Sequence, residues 1–227
     1  MIASSETWLR VEWLGHAAFA IAGPGARVVL DPHRPGALGG RFRLPAIAGP
    51  FDAIACSHGH EDHAAWTPAL GTTRWIERDD AVGALQLRFL AAAHDDCGGR
   101  RMGLSRLIEI RCGSLRVVHS GDLGSFGRRE IDFAAGCDAL LLACGGHYTL
   151  GADAAAAFAR AVQPRRVVPM HCADPLIDLA LEPAEAFCAA LGWQESVDTA
   201  LTLPLPLGAP PSAIARLTRP DATREPQ

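Results

Sequence analysis

The strongest constraint on this chain is a short polar segment that reads Ser57-His58-Gly59-His60-Glu61-Asp62-His63. The segment follows the apolar residues 53–56, so a buried strand is expected to end directly before it. Residues two apart in an extended chain point to the same side, and His58 and His60 can therefore converge on one point. Neutral imidazoles are preferred ligands of zinc, iron and manganese. The segment therefore predicts a metal site at the end of a strand.

The last residues of the segment predict a separate group of ligands. A helix is expected to begin near Asp62 and a short helix to follow His63, which would turn both side chains toward a second point a few ångströms away. Four side chains cannot complete two metal sites, because each site needs at least three protein ligands. Further ligands are therefore expected downstream in the sequence.

Short runs of apolar and β-branched residues, separated by Gly and Pro, predict a protein rich in strands. The predicted strands cover residues 9–13, 18–21, 27–30, 53–56, 73–76, 85–91, 104–110, 115–119, 139–142 and 166–169. Gly113-Ser114 lies between two of them and predicts a hairpin turn. Longer helices are predicted only for residues 152–162 and 183–191. Strands that come first in series and then alternate with helices indicate an α/β (α+β) layered sandwich.

The length of 227 residues fits one large layered domain or two small ones, and we predict a single domain at residues 1–208. Residues 209–227 are rich in Pro and Ala and are predicted to form a C-terminal tail. The sequence contains no stretch that resembles a signal peptide or a membrane span. The seven cysteines form no CxxC pair, so reduced thiols in a cytoplasmic protein are expected.

The composition narrows the chemistry further. All 21 basic residues are Arg, because the chain contains neither Lys nor Asn. Lysine Schiff bases, lysine general bases and phosphate-loop lysines are therefore excluded. The formal net charge is −4 and the arginines are scattered, so no nucleic-acid partner is expected. We expect a small-molecule substrate, and the sequence leaves open whether the chain forms a homo-oligomer.

Three downstream residues complete an ordered set of candidate ligands, namely His94, Asp122 and His171, each of which follows a predicted strand. Together with the polar segment they resemble the metallo-β-lactamase superfamily over roughly residues 8–175. The short, single-domain branch that includes ascorbate-phosphate lactonase-like proteins is similar in Leu14-Gly15-His16, Asp31-Pro32 and Pro169-Met170-His171. Ala143-Cys144 departs from that branch, in which Pro-Val or Pro-Ile is more usual.

The resemblance implies a four-layer αββα sandwich with two divalent metal ions, for which zinc is the first choice and Mn or Fe the alternatives. It implies that one ion is held by His58, His60 and His94, the other by Asp62, His63 and His171, and that Asp122 lies between them. Such a centre uses a metal-bridged hydroxide to cleave a small ester, lactone or phosphoester. The missing Lys and Asn argue against β-lactam hydrolysis, because true metallo-β-lactamases commonly hold their substrate with these residues.

Two residues are candidates for a catalytic role. Asp62 is placed to orient the attacking hydroxide, and His147 to contact the substrate or to protonate a leaving group. Four other residues are left without an assigned role, namely His16, Arg100, Arg101 and Tyr148. Two other functions remain as alternatives: a nuclease or phosphodiesterase of the same superfamily, and a non-catalytic metal-binding module.

Overall fold

The alternating apolar runs near the amino terminus form a six-stranded mixed sheet in the computed structural model, which describes residues 7–147 and 149–220. Its strands are β1 (Leu9–Gly15), β2 (Ala18–Gly23), β3 (Ala26–Leu30), β4 (Ala53–Ala55), β5 (Trp75–Ile76) and β13 (Leu201–Leu203). Their order across the sheet is β13-β1-β2-β3-β4-β5. The strands β1 to β3 are antiparallel neighbours, whereas β3, β4 and β5 run parallel.

The later runs form an eight-stranded sheet. Its strands are β6 (Asp80–Val82), β7 (Leu85–Ala93), β8 (Leu104–Cys112), β9 (Leu115–His119), β10 (Ala139–Ala143), β11 (Arg166–Met170), β12 (Glu195–Asp198) and β14 (Ala213–Leu217). Their order is β12-β14-β11-β10-β9-β8-β7-β6, with β6 to β9 antiparallel and the others parallel to β9. Cys112 pairs with Leu115, which confirms the predicted hairpin turn between them.

The main core lies between the two sheets. Alternate residues of the six-stranded sheet, such as Val11, Phe19 and Val28, are buried in one apolar cluster with Ile110 and Leu141 of the other sheet. The strands β10 and β11 are buried along their whole length. Parallel strands that are covered on both faces are expected to be apolar throughout, which explains their continuous runs of Leu and Val.

One outer layer is helical. Helices α2 (Arg128–Ala134), α3 (Ala152–Val162) and α4 (Ala184–Leu191) cover the eight-stranded sheet. Phe158 of α3 and Phe187 of α4 have no exposed surface, so each helix is attached to the sheet through a large buried ring. Among residues 7–147 and 149–220, these three helices form the helical layer over this sheet.

The other outer layer is thin. Loops that bury Ile47, Phe51 and Leu70 cover the six-stranded sheet. Within the described residues its helical structure is limited to one irregular turn, α1 (Ala37–Gly40), and a 3₁₀ turn at Pro68–Leu70. The layered αββα architecture expected from the resemblance is therefore confirmed, with loops in place of most of one helical layer.

The ten predicted strands and the two longer predicted helices are confirmed. The prediction of a helix that begins near Asp62 is wrong. Residues 61–63 form a turn in which the N–H groups of His63 and Ala64 both donate to the His60 carbonyl. A proline disfavours helical geometry in the preceding residue, and Thr67, before Pro68, is extended with φ of −138°. A longer helix is therefore blocked, and only the 3₁₀ turn follows.

The prediction of a tail at residues 209–227 needs a correction. Residues 213–217 form β14, which lies between β11 and β12, so this stretch belongs to the eight-stranded sheet. Residues 221–227 lie outside the described residues. Between residues 7 and 220, leaving out residue 148, no helix has the length and hydropathy needed to cross a membrane.

Candidate metal centre

The candidate ligands lie in the loops that leave the carboxyl ends of strands. His58 and His94 follow β4 and β7, and Asp122 and His171 follow β9 and β11. Each stands within three residues of the strand that precedes it, so the two sheets fix its position. These four side chains are buried, whereas His60 is half-buried. The sheets therefore bring together residues that are far apart in the sequence.

A first group of three imidazoles converges on one point. His58 Nε2 lies 2.9 Å from His60 Nδ1, and His94 Nε2 lies 3.3 Å from the same atom. Asp122 Oδ2 stands 3.2 Å from His94 Nε2 and 3.8 Å from His58 Nε2. The group matches the ligands implied for the first ion, and it specifies the ring nitrogen that each histidine would offer.

A second group lies on the other side of Asp122. Asp122 Oδ2 is 3.3 Å from both His63 Nε2 and His171 Nε2, and Asp62 Oδ2 is 3.6 Å from His63 Nε2. One carboxylate oxygen of Asp122 therefore stands within 3.8 Å of imidazoles from both groups. All seven sequence-predicted ligands are brought together, and Asp122 occupies the shared position.

The donor set fits divalent cations. His63 Nε2 and Asp122 Oδ1 are buried without a hydrogen-bond partner, and so is His171 Nδ1. A buried polar atom that lacks a partner costs about 1–3 kcal/mol. Cations held between imidazole nitrogens and carboxylate oxygens would satisfy the atoms that face the centre. The residues present are therefore compatible with the two implied ions.

Asp31 is a functional residue whose role sequence reasoning missed. Its carboxylate accepts hydrogen bonds from the backbone N–H and the hydroxyl of Ser57, both at 2.6 Å, and lies 2.8 Å from His63 Nδ1. The Ser57 hydroxyl is in turn 2.9 Å from His58 Nδ1. Asp31 thus orients histidines of both groups so that their Nε2 atoms face the centre. The sequence did contain one sign of this role, because Asp31 comes directly after the predicted strand at residues 27–30.

Two glycines allow the ligand-bearing loops to touch. A Cβ on Gly124 would stand 2.3 Å from the backbone nitrogen of Asp95, and a Cβ on Gly145 would stand 2.2 Å from the carbonyl oxygen of His171. Real Cβ atoms do not approach other atoms so closely, so any side chain there would push the loops apart. The loop of Asp122 is therefore packed against the loop of His94, and the loop after β10 against His171.

Several residues at the centre have an uncommon backbone conformation. The φ angles are 52° for His16, 43° for Asp31, 56° for His147 and 48° for His171, all in the left-handed region. Residues other than glycine rarely adopt this region, and each instance costs on the order of 1–3 kcal/mol. Such strain is concentrated at functional sites when the surrounding structure holds it in place.

Burial and charge set the protonation of the ligands. Burial lowers the pKa of His58 to about 3, so this imidazole is neutral and ready to bind a cation. Burial also opposes the charged form of His63, but Asp122 and Asp62 raise its pKa well above the usual histidine value. Burial raises the pKa of Asp122, yet His171 and His63 outweigh it and hold that pKa well below the usual range.

These shifts predict that metal binding releases protons. At pH 7 the raised pKa keeps His63 protonated in the metal-free protein, and a cation must displace that proton to reach the nitrogen. We therefore expect at least one proton to be released per chain at pH 7, and the metal affinity to fall as the pH is lowered. Calorimetric titration in buffers of different ionisation enthalpy measures the proton count. Binding without proton release would contradict the prediction.

A cavity of about 270 Å³ opens onto the cluster. Its lining consists of Leu38, His60, Glu61, Asp62, His94, Met102, Asp122, His147, His171 and Leu179. The predicted substrate-contacting residue His147 is therefore at the site, and its side chain is exposed. A larger depression of about 740 Å³, at Trp13 and Arg219, includes none of the cluster residues. Tyr148 lies outside the described residues.

The arginines of the loop after β7 are not among the residues that line the cavity. The carboxylate of Asp95 accepts hydrogen bonds from the backbone N–H groups of Arg101 and Met102, at 2.8 and 2.9 Å. The guanidinium of Arg101 forms an ion pair with Asp96. Neither Arg100 nor Arg101 lines the cavity, whereas Met102 does. Arg100 and Arg101, which the sequence left without an assigned role, are therefore better described as part of a solvated loop than as substrate-binding residues.

Comparisons with known proteins give the family. Residues 10–171 match the family described as a β-lactamase superfamily domain. The chain is 29% identical to a UPF0173 metal-dependent hydrolase of Polaromonas sp., over 73% of this chain and 78% of that relative. It is 30% identical to a UPF0173 metal-dependent hydrolase of Cupriavidus taiwanensis, over 80% of each chain.

The solved structures agree with the fold. The crystal structure of a Thermotoga maritima protein of the metallo-β-lactamase superfamily superposes with a TM-score of 0.69 at 21% identity, and covers 92% of this chain and 100% of that chain. The family match extends from β1 to the last histidine of the cluster, and so spans every residue of the candidate metal centre. The chain therefore belongs to the metallo-β-lactamase superfamily, as one of its metal-dependent hydrolases.

Proposed function

We propose that this protein is a dinuclear hydrolase that cleaves a small ester or lactone, with a phosphoester as the less favoured substrate. The observation that carries the proposal is the shared position of Asp122, whose Oδ2 lies 3.2 Å from His94 Nε2 and 3.3 Å from His63 Nε2. A carboxylate between two sets of imidazoles is the arrangement that holds two ions side by side. Zinc is the proposed metal because nitrogen and oxygen ligands suit it, as they also suit Mn and Fe.

Each residue has a distinct part in the proposed reaction. Two divalent ions, when bound, lower the pKa of a water molecule from 15.7 to about 7 and polarise the scissile bond. Asp62 lines the cavity and has a carboxylate whose pKa is held low by His63 and His16 in spite of burial, so it stays ionised and can accept a hydrogen bond from the attacking water. Asp31 holds the imidazole of His63 in the orientation required for ligation.

The cavity walls support a small substrate with an apolar part. Leu38, Met102 and Leu179 place apolar surface beside the ligands. Leu38 is held there in a left-handed conformation with φ of 52°, and its N–H donates to the Glu61 carboxylate at 2.9 Å. No arginine occurs among the described residues that line the cavity, so an anionic group finds no guanidinium partner there. Esters and lactones are therefore favoured over phosphoesters, and over nucleic acid.

His147 is the proposed proton donor to the leaving group. It lines the cavity and its side chain is exposed, so it can reach a bound substrate. We expect His147→Gln to lower kcat at least about 100-fold for an alkyl ester, whose alkoxide leaves poorly, and only slightly for a nitrophenyl ester, whose leaving group needs no proton. Steady-state kinetics with the two esters measure the difference, and His33→Gln serves as the control. Equal losses for both esters would remove His147 from this role.

The proposed function is tested by metal analysis together with a substrate panel. We expect two ions per chain, and turnover of esters or lactones that chelation abolishes and added zinc restores. Turnover restricted to phosphodiesters would favour the nuclease or phosphodiesterase alternative. Two bound ions without turnover of esters, lactones or phosphodiesters would favour the non-catalytic module. We also propose a cytoplasmic setting, because all seven cysteines are free thiols.

A further inference from the structure

His16 lies inside the second group of ligands, although the family resemblance does not assign it there. It follows β1 directly, and its side chain is fully buried. Its Nε2 lies 3.3 Å from Asp62 Oδ2, a separation similar to those between the assigned ligands. Its ring centre is 4.1 Å from that of His171 and 5.3 Å from that of His63. His16, Asp62, His63 and His171 each offer one donor atom, and these four atoms all lie within 4.8 Å of one another.

The ring nitrogens of His16 accept no backbone N–H and donate to no backbone carbonyl among the described hydrogen bonds. Both are buried, and the polar group close to Nε2 is the carboxylate of Asp62, itself an assigned ligand, at 3.3 Å. His33 and His119, which are not among the candidate ligands, each have a ring nitrogen at a backbone carbonyl: His33 Nε2 lies 3.4 Å from the Leu14 carbonyl and His119 Nε2 lies 2.9 Å from the Ala17 carbonyl. The other ring nitrogen of His33, Nδ1, has no partner. A buried histidine that serves only packing is expected to satisfy its ring in the same way. His16 has no such carbonyl partner, and its Nε2 instead faces the donor atoms of Asp62, His63 and His171, which points to a ligand.

The backbone holds His16 in place. A register shift in the β1–β2 pairing between Trp13 and Gly15 turns the chain, and His16 then adopts φ of 52°. The His16 carbonyl accepts hydrogen bonds from the Trp13 indole N–H at 2.9 Å and from the His171 backbone N–H at 3.2 Å. The second bond ties His16 to the loop of an assigned ligand. The orientation of its ring is thus set by the six-stranded and the eight-stranded sheets together.

We propose that His16 Nε2 is a further ligand of the second ion, beside Asp62, His63 and His171. The inference rests on the proposed dinuclear centre and adds an eighth residue to it. Metal sites that are closed by protein ligands serve structure, whereas catalytic sites keep a position open. With His16 bound, the second ion would have fewer open positions than the first. The first ion would then offer a substrate more open positions than the second, although ligands of both groups line the cavity.

The native protein itself provides the first test. The chain has nine histidines, and long-range ¹H–¹⁵N spectra distinguish metal-bound imidazole nitrogens from free ones. The zinc-loaded protein is expected to show six metal-bound histidines, whereas the ligands implied by the resemblance would give five. A merely structural His16 leaves the number at five, because packing does not shift the nitrogen resonance as a metal bond does. A count of five with two ions bound would overturn the proposal.

A substitution provides the second test. The imidazole of His16 packs edge-on against Phe42, with the ring centres 4.9 Å apart. A phenyl ring can make the same contact, so His16→Phe removes the nitrogens and keeps the packing. We expect it to weaken one of the two zinc-binding steps at least about 100-fold, with the other unchanged and one metal-bound histidine lost from the spectrum. His33→Phe is the matched control and is expected to retain both steps. Unchanged affinities in His16→Phe would overturn the proposal.

The test separates this inference from the proposed function, because neither measurement depends on turnover. If the native chain binds a single ion, the dinuclear proposal fails. The ligand assignment is then decided on that ion alone: a loss of affinity and of one metal-bound histidine in His16→Phe supports it, and no change overturns it. A protein with six metal-bound histidines and no hydrolytic activity would support the ligand and contradict the hydrolase.

Discussion

Replacing Asp62 by Asn is expected to lower kcat at least about 100-fold while KM changes only a few-fold. Asn keeps the shape of the side chain and one oxygen, but it loses the negative charge that Asp62 keeps in spite of being buried. The attacking water then lacks its hydrogen-bond acceptor, whereas the apolar cavity wall that contacts the substrate is intact. An interaction made only in the transition state affects kcat rather than KM.

The measurement needs full metal content, because Asp62 is also a proposed ligand. Steady-state kinetics in saturating zinc, with the bound metal quantified in the same samples, separate loss of the ion from loss of the acceptor. Asp132→Asn is the matched control, since Asp132 is exposed on α2 and pairs only with Arg128 among the described ion pairs. A kcat that stays at the native level in Asp62→Asn, with two ions bound, would contradict the assignment.

Asp31→Ala is expected to have the largest effect on stability. The substitution removes the buried acceptor of the Ser57 N–H and of the His63 imidazole. The pKa of His63 is raised, so its charged imidazole would lose a buried carboxylate. Removing one partner of a buried ion pair costs about 3–5 kcal/mol. We expect a loss of that size in the free energy of unfolding at pH 7, measured by urea denaturation of the metal-free protein. The metal affinity is expected to fall as well, because His63 loses its orientation.

The pH dependence of this effect follows from the direction of the pKa shift. Burial raises the pKa of Asp31, but His119 and His63 outweigh burial and lower it. A carboxylate with a lowered pKa stabilises the folded state above its ordinary titration range, and that contribution is lost as the pH falls through the folded-state pKa. The difference between native protein and Asp31→Ala is therefore expected to shrink at acidic pH.

Asp52→Ala is the control for Asp31→Ala. Asp52 also accepts a backbone N–H, from Arg27 at 2.7 Å, but it is exposed, so the loss is expected to be about 1 kcal/mol or less. Equal destabilisation by the two substitutions would show that Asp31 has no special part in the centre. A large loss only for Asp31→Ala supports its role in holding both groups of imidazoles.

The ligands could be predicted because four of them stand in one short segment and the rest follow predicted strands. The supporting residues could not, because their roles depend on contacts across the sheets. Asp31 meets Ser57 and His63 only once β3 and β4 pair in parallel. His16 meets Asp62 only after the register shift that ends β1. A sequence pattern reports neighbours along the chain, whereas these contacts arise from strand pairing.

The strand and the helix that the sequence did not predict can also be explained physically. The edge strand β12 reads Glu-Ser-Val-Asp and is exposed along its whole length, so it lacks the apolar alternation that predicts strands. Helix α2 has seven residues and a largely polar surface. Pro68 prevented the helix that the polar segment was expected to start, since Thr67 had to be extended. The sequence pattern therefore failed at an exposed edge strand, at a short helix and at a turn before a proline.

The position of the ligands at strand ends has a consequence for how the protein acquires its metal during folding. Only the segment from His58 to His63 offers several ligands at once in an unfolded chain. His94, Asp122 and His171 reach it only when β7, β9 and β11 have paired, and contacts between distant parts of a chain form late and slowly. The complete ligand set does not exist before that pairing. Full loading with two ions therefore requires that the two sheets have already assembled.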